Sequence, residues 1–262
     1  MSDSNYNTLR YLVERNIAKI ILDRPPANLI DREMTLEYHD ALKKADADQK
    51  IRVIVLAGNG NGLSGGLNLK YIEKFNSEQM KEFLQLFYVE TIRITRGLSK
   101  PIIAAVHGYA REGACTLAFA CDMIIASDIA DFGYPGVPNL AAPPGMHVWI
   151  LQKLIGRMKA AELILTGKTL KSVEAERMGL ITKVVPAKNL MLETEKIAQK
   201  IAQMSPLAIK RARDLMHEME DMPFHAIPEK AVEALSSAFN TEDSREARKA
   251  YIEKREPVWK GK

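Results

Sequence analysis

Two glycine-containing segments are the parts of the sequence best suited to chemistry. Residues 63–70 read LSGGLNLK and residues 108–117 read GYAREGACTL. Small residues at a strand end let backbone N–H groups approach a ligand, and N–H groups at a helix start lack intrahelical partners. Two such groups on one oxygen would form an oxyanion hole, worth about 3–4 kcal/mol per donor. Either segment alone is more often a tight turn, and neither matches a dinucleotide- or phosphate-binding motif.

Three side chains near these segments could carry a proton. Glu112 begins a predicted helix, although an acidic residue there more often compensates the helix dipole. Tyr134 is either a packed aromatic residue or a hydroxyl donor. His147 titrates near neutrality and could act as acid, base or donor, or simply face solvent at a helix start.

The elements that must position these residues alternate between strands and helices. Short apolar runs predict strands over residues 17–22, 51–57, 101–106 and 123–126, and helical patterns cover residues 31–45, 77–97 and 113–121. Asp31 and Ser77 are the expected N-caps of the first two helices. The alternation predicts a mixed α/β core. Beyond about residue 186 only helical patterns remain, so we expect a core over residues 1–200 and a helical region over residues 201–262.

Composition restricts the class of protein. The 262 residues carry a net charge of +4 that is scattered along the chain, which does not favour nucleic acid and suits an anionic small ligand. Cys115 and Cys121 favour neither a disulfide framework nor a metal site. The sequence shows no signal peptide and no membrane span, so a cytoplasmic enzyme with no membrane partner is expected.

Motifs in several segments, taken in order, resemble those of the crotonase (enoyl-CoA hydratase/isomerase) superfamily. They occur at residues 22–28 (LDRPPAN), 63–70, 100–110 (KPIIAAVHGYA), 113–127 (GACTLAFACDMIIAS), 165–167 (LTG), 175–185 (AERMGLITKVV) and 242–258 (EDSREARKAYIEKREPV). The resemblance implies an α/β fold, a spiral of ββα units with a C-terminal helical region that forms a trimer or a dimer of trimers. It also implies an acyl-CoA thioester as ligand, with coenzyme A as part of the substrate and no permanently bound cofactor.

The resemblance also implies site residues. By motif, the N–H groups of Gly65 and Gly113 are the expected oxyanion donors. Lys70 resembles the lysine that meets the CoA phosphates, and Arg24 and Lys254 are further candidates for contact with CoA.

The sequence departs from the family pattern at its two catalytic glutamates. The first position holds Thr116 and the second holds Gly136, and Asn68 replaces an aspartate of the first loop. Threonine is not a base near neutral pH, and glycine has no side chain. Ordinary hydration of an enoyl thioester, which uses two carboxylates, is therefore not expected.

Two classes of function remain open. The first is a lyase or isomerase of fatty acid metabolism that stabilises a thioester enolate with unusual acid–base groups, a decarboxylase of a malonyl-type thioester being one form. The second is a catalytically inactive subunit that binds acyl-CoA. A titratable side chain beside an intact oxyanion hole would favour the enzyme.

Overall fold

The computed structural model describes residues 6–262 and contains two sheets. In this part of the chain the strands are β1 (Leu9–Glu14), β2 (Ile17–Leu22), β3 (Val53–Gly58), β4 (Gly62–Ser64), β5 (Ile102–Val106), β6 (Tyr109–Arg111), β7 (Met123–Ser127), β8 (Asp131–Gly133), β9 (Leu170–Lys171) and β10 (Lys183–Val185). The larger sheet has the order β1-β2-β3-β5-β7-β10 and the smaller one β4-β6-β8-β9. All four predicted strands are present.

The two sheets are built by a repeating unit. Three consecutive pairs, β3–β4, β5–β6 and β7–β8, each place one strand in the larger sheet and the next in the smaller sheet. Neighbouring strands from successive units are parallel. The chain therefore advances as a spiral, which confirms the fold predicted from the motifs.

Helices cover the sheets and form the C-terminal region. Within residues 6–262 they are α1 (Arg32–Ala47), α2 (Leu69–Ile72), α3 (Ser77–Leu84), α4 (Thr91–Gly97), α5 (Gly113–Phe119), α6 (His147–Ile155), α7 (Arg157–Thr166), α8 (Ser172–Arg177), α9 (Leu190–Ala202), α10 (Pro206–Met219), α11 (Ile227–Phe239) and α12 (Glu242–Glu253). None of them is long and apolar enough to cross a membrane.

Local capping explains where two helices begin. The Asp31 carboxylate accepts from the Met34 N–H, as expected of an N-cap. The helix predicted from residue 77 is capped by Asn76 rather than Ser77, because Asn76 and Gln79 form a reciprocal capping box. Between α3 and α4 the chain continues as a π-helical turn over Gln85–Glu90. Such turns are often found at functional sites, and this one carries Tyr88.

The C-terminal helices are attached to the core by a buried cation. Arg213 of α10 is 5% exposed and donates to both carboxylate oxygens of Asp122, at 2.8 and 2.9 Å. It also donates to the backbone carbonyls of Thr95, Arg96 and Leu98. These bonds join α10 to the end of α4. The strands end by Val185, while the domain boundary near residue 200 stays a prediction.

Candidate active site

The two glycine-containing segments lie side by side. Strands β4 and β6 pair in parallel, with Gly62 opposite Tyr109 and Ser64 opposite Ala110. Just beyond, Gly66 has φ +92°, and a Cβ on it would lie 2.9 Å from the Arg111 carbonyl oxygen. Both facts require glycine at position 66. The close approach brings residues 65–68 against the start of α5.

One predicted oxyanion donor is wrong. The N–H of Gly65 donates to the Ala27 carbonyl at 2.8 Å and is not available to a ligand. Gly66 donates to the Ser64 hydroxyl at 3.0 Å, and Asn68 donates to the Ile30 carbonyl at 2.7 Å. The N–H of Leu67 has no acceptor among residues 6–262. The free N–H in this loop is therefore that of Leu67, two residues beyond the predicted position.

The second loop supplies a matching donor. Gly113 is the first residue of α5, and its N–H likewise has no acceptor in the described part of the chain. The Leu67 side chain comes within 3.2 Å of where a Gly113 Cβ would stand. The free N–H groups of Leu67 and Gly113 thus belong to neighbouring segments of the chain.

Glu112 holds a buried carboxyl group next to this pair of donors. Its backbone has φ +41°, a conformation that costs about 1–3 kcal/mol for a non-glycine residue and tends to occur at functional sites. The residue is 9% exposed, and its Oε1 has no hydrogen-bond partner among the described residues. Burial raises the pKa of this carboxyl, partly offset by the Gly136 N–H. A buried carboxyl with one oxygen lacking a hydrogen-bond partner among the described residues does not fit the role of a solvated dipole-compensating residue.

The position of Glu112 relative to Gly136 is informative. A Cβ on Gly136 would lie only 2.7 Å from Glu112 Oε1. The carboxyl of Glu112 therefore fills the space from which a glutamate side chain at position 136 would start. The structure therefore places the Glu112 carboxyl, from the neighbouring loop, beside the second family position.

This geometry makes Gly136→Ala a test of the position of Glu112. The added methyl group should displace the carboxyl, and any reaction in which Glu112 transfers a proton should slow by about tenfold or more, because proton transfer depends on hydrogen-bonding distance. Gly97→Ala is the matched control, since a Cβ at Gly97 meets nothing within 4 Å. Steady-state rates and melting temperatures of both variants check the prediction. Unchanged activity in Gly136→Ala would show that Glu112 is free to move or is not used.

Thr116, at the first family position, belongs to a neutral polar cluster. Its hydroxyl is 2.9 Å from His147 Nε2, and both residues are buried. Burial lowers the pKa of His147 to about 4, against a smaller opposing effect of the Glu112 backbone. Burial also raises the pKa of Tyr88 to about 12, with a smaller contribution from Glu112 and an opposing hydrogen bond to Thr116. At neutral pH the cluster of Tyr88, Thr116 and His147 therefore carries no charge.

Tyr134 is a core residue in this structure. It is fully buried, and its ring packs 4.8 Å from the His147 ring, centroid to centroid. Its hydroxyl has no hydrogen-bond partner among the described residues, and burial raises its pKa. The residue supports His147 from the side of the core.

The residues expected to contact CoA differ in whether their side chains already form ion pairs within the protein. Lys70 on α2 and Lys254 after α12 are exposed and make no ion pair within residues 6–262. Arg24, in contrast, is paired with Asp31 and Glu33 and donates to the Leu29 carbonyl. Lys70 and Lys254 therefore remain available for a phosphate, whereas Arg24 is occupied in the fold.

The sequence alone missed two site residues, Leu67 and Tyr88. Leu67 contributes only a backbone N–H, so its side-chain type carries no signal. Tyr88 sits in an amphipathic helical pattern where an aromatic residue indicates packing. A π-helical turn is not visible in that pattern.

Known proteins resemble this chain over nearly its whole length. A model of the enoyl-CoA hydratase/isomerase family matches residues 13–262. A probable enoyl-CoA hydratase of Rhizobium meliloti is 35% identical over 260 residues, covering 98% of this chain and 99% of that protein. A crotonyl-CoA hydratase of Syntrophomonas wolfei is 30% identical over 245 residues, covering 92% and 94%. The crystal structure of an enoyl-CoA hydratase from Bacillus anthracis superimposes with a TM-score of 0.92 at 30% identity, covering 98% and 100%.

Proposed function

Because the chain belongs to the enoyl-CoA hydratase/isomerase family, we propose that it polarises an acyl-CoA thioester at the N–H groups of Leu67 and Gly113 and moves the α-proton with Glu112. The observation that carries the proposal is the buried carboxyl of Glu112, which fills the space beside Gly136. An inactive acyl-CoA-binding subunit has no use for a buried acid with one unpartnered oxygen on a strained backbone, since each of these features costs stability.

A single carboxyl suits a proton shift. The Glu112 carboxylate takes the α-proton, and the C–H electron pair moves into the thioester to give an enolate. The two N–H groups stabilise the oxygen of the enolate as it gains negative charge. Glu112 then returns the proton to the α-carbon or, when the substrate is a 3-enoyl thioester, to the γ-carbon of the dienolate, which moves the double bond to the 2-position. The neutral cluster of Tyr88, Thr116 and His147 can orient polar groups but provides only a weak second base at pH 7, because burial lowers the pKa of His147 to about 4.

The direct test is exchange of the α-protons of butyryl-CoA in D2O, followed by proton NMR. We expect enzyme-dependent loss of the α-proton signal without release of CoA. The Glu112 carboxyl exchanges its proton with D2O, so that a deuteron is returned to the α-carbon. A chain that binds butyryl-CoA but exchanges no α-proton would be a binding subunit, and the proposed function would be wrong.

The pH dependence of exchange should follow Glu112. Its pKa is raised above the ordinary 4.5 by burial, so the base form is lost at a higher pH than for a solvated glutamate. Exchange should therefore rise with pH through a midpoint above 4.5 and then level off. A profile that is flat from pH 4.5 to 7 would argue for another proton carrier.

We further propose that the C-terminal helices form a trimer or a dimer of trimers. On α11, Val232, Leu235 and Phe239 are 66%, 71% and 61% exposed and recur at helical spacing, so they form one apolar stripe. Sedimentation should show an oligomer at micromolar concentration, and Leu235→Glu should shift it toward smaller species. A monomeric wild-type chain would contradict this.

A further inference from the structure

A cleft next to the proposed acyl site has no role in the mechanism so far. It has a volume of about 380 Å³ and lies between α4, α5, α6 and α10. Thr116 of α5 lines it, three residues after Gly113, so the two residues share one face of the helix. Thr116 is therefore the residue at which the cleft adjoins the proposed acyl site.

Part of the cleft wall is apolar. Phe119, Met146, Trp149 and Ile150 contribute to it. The volume falls within the range of about 300–1,000 Å³ that is typical of small-molecule sites. These features fit the methylene part of an acyl chain.

The same cleft also contains donors that the fold leaves unused. Arg96 of α4 donates through Nη2 alone, to Glu220 at 3.0 Å and to the His217 carbonyl at 3.3 Å. Its Nε and Nη1 have no acceptor within residues 6–262. His217 Nε2 is buried without a hydrogen-bond partner in that range, and it lies 3.9 Å from Asp122 Oδ1.

The other charged side chains of the cleft are already paired. Lys153 contacts Glu220 at 3.0 Å and Asp221 at 2.9 Å. Arg213 is held by Asp122. The unused N–H groups of Arg96 therefore determine what the cleft can recognise, and a guanidinium binds a carboxylate more strongly than a neutral acceptor.

From this arrangement we infer that the cleft selects an acyl chain whose distal end carries a carboxylate, bound by Arg96. The inference rests on the proposed binding of an acyl-CoA thioester at Leu67 and Gly113. It distinguishes this cleft from a purely apolar one, in which each added methylene strengthens binding and a terminal charge weakens it.

Calorimetry with saturated acyl-CoA thioesters tests the inference without turnover. Pairs of equal length from four to ten carbons, one ending in methyl and one in carboxylate, are compared on the full-length chain. We expect at least one length at which the carboxylate-terminated thioester binds about tenfold or more tightly, as for a hydrogen bond to a charged group. Equal or tighter binding of the methyl-terminated partner at every length would overturn the inference.

Variants locate the source of the preference. Arg96→Met should remove it at that length and leave binding of the methyl-terminated thioester unchanged, which also shows that the variant is folded. Arg93→Met is the matched control, because Arg93 lies on the same helix, pairs with Glu90 and does not line the cleft. If Arg96→Met does not fold, Arg96→Lys should still reduce the preference, since it keeps the charge but loses the planar fork.

A preference unchanged in the folded Arg96 variant would also overturn the inference. Failure of every acyl-CoA to bind would instead refute the proposed function, and this inference with it.

Discussion

Glu112→Gln should lower α-proton exchange of butyryl-CoA by about 10²–10⁴-fold, the usual contribution of a general acid or base. Glutamine has almost the same size as glutamate but cannot accept the α-proton, so the loss reports chemistry rather than packing. The fold should tolerate the change, because Glu112 Oε1 makes no hydrogen bond within the described residues. Binding of butyryl-CoA should persist, since the N–H groups of Leu67 and Gly113 are unaffected.

Glu90→Gln provides the matched control for this prediction. Glu90 carries a carboxylate at the end of the π-helical turn and pairs with Arg93 on the surface of the protein. Its replacement should leave exchange within about twofold of the wild-type rate, because surface ion pairs contribute little. A similar loss in both variants, or none in Glu112→Gln, would exclude Glu112 as the proton carrier.

Hydration of crotonyl-CoA should be slow in the wild-type chain and should rise about 10²–10⁴-fold in Thr116→Glu. Adding water needs one group to activate the water and another to deliver the α-proton, and each typically contributes a factor of that size. Glu112 supplies one carboxyl, and the first family position has only the Thr116 hydroxyl. A glutamate at position 116 would restore the second carboxyl without touching Gly136.

Thr116→Gln separates charge from volume in this experiment. Glutamine fills the same space beside His147 but is not a base, so its hydration rate should stay at the wild-type level. Hydration by the wild-type chain as fast as its own α-proton exchange would show that the cluster of Tyr88, Thr116 and His147 activates water, and the second prediction would then be wrong.

The fold could be predicted from the sequence because its signals are local. Residues 17–22 and 102–106 are rich in β-branched side chains and are bounded by turn residues. The side chain of Asp31 caps the start of α1, so its residue type alone indicates a helix N-terminus. The spiral itself was expected from the resemblance of motifs. The misplaced cap at Ser77 shows the limit of such reasoning, since Asn76 is an equally good capping residue one position earlier.

The site could be predicted only in outline, because its decisive contacts are long-range. The Gly65 N–H is taken by Ala27, 38 residues earlier in the chain, and no local pattern reveals that bond. The sequence indicates that Glu112 lies beside the second glycine-containing segment. Its proposed role, however, depends on the contact of its carboxyl with Gly136, 24 positions later in the chain. The bond between Thr116 and His147 also spans 31 residues. Residue types indicated that two glutamates were absent, whereas only the folded chain shows that the Glu112 carboxyl lies beside Gly136.

The infrared carbonyl band of bound butyryl-CoA tests whether the N–H groups of Leu67 and Gly113 form an oxyanion hole. The thioester carbonyl is labelled with carbon-13, and the band is recorded with the wild-type chain and with Glu112→Gln. Two N–H donors on the carbonyl oxygen weaken its double bond, so the band should move to lower frequency in both proteins. Only the wild-type chain should then exchange the α-proton. A bound carbonyl at the frequency of free butyryl-CoA would contradict the account, because no oxyanion hole would then exist at Leu67 and Gly113.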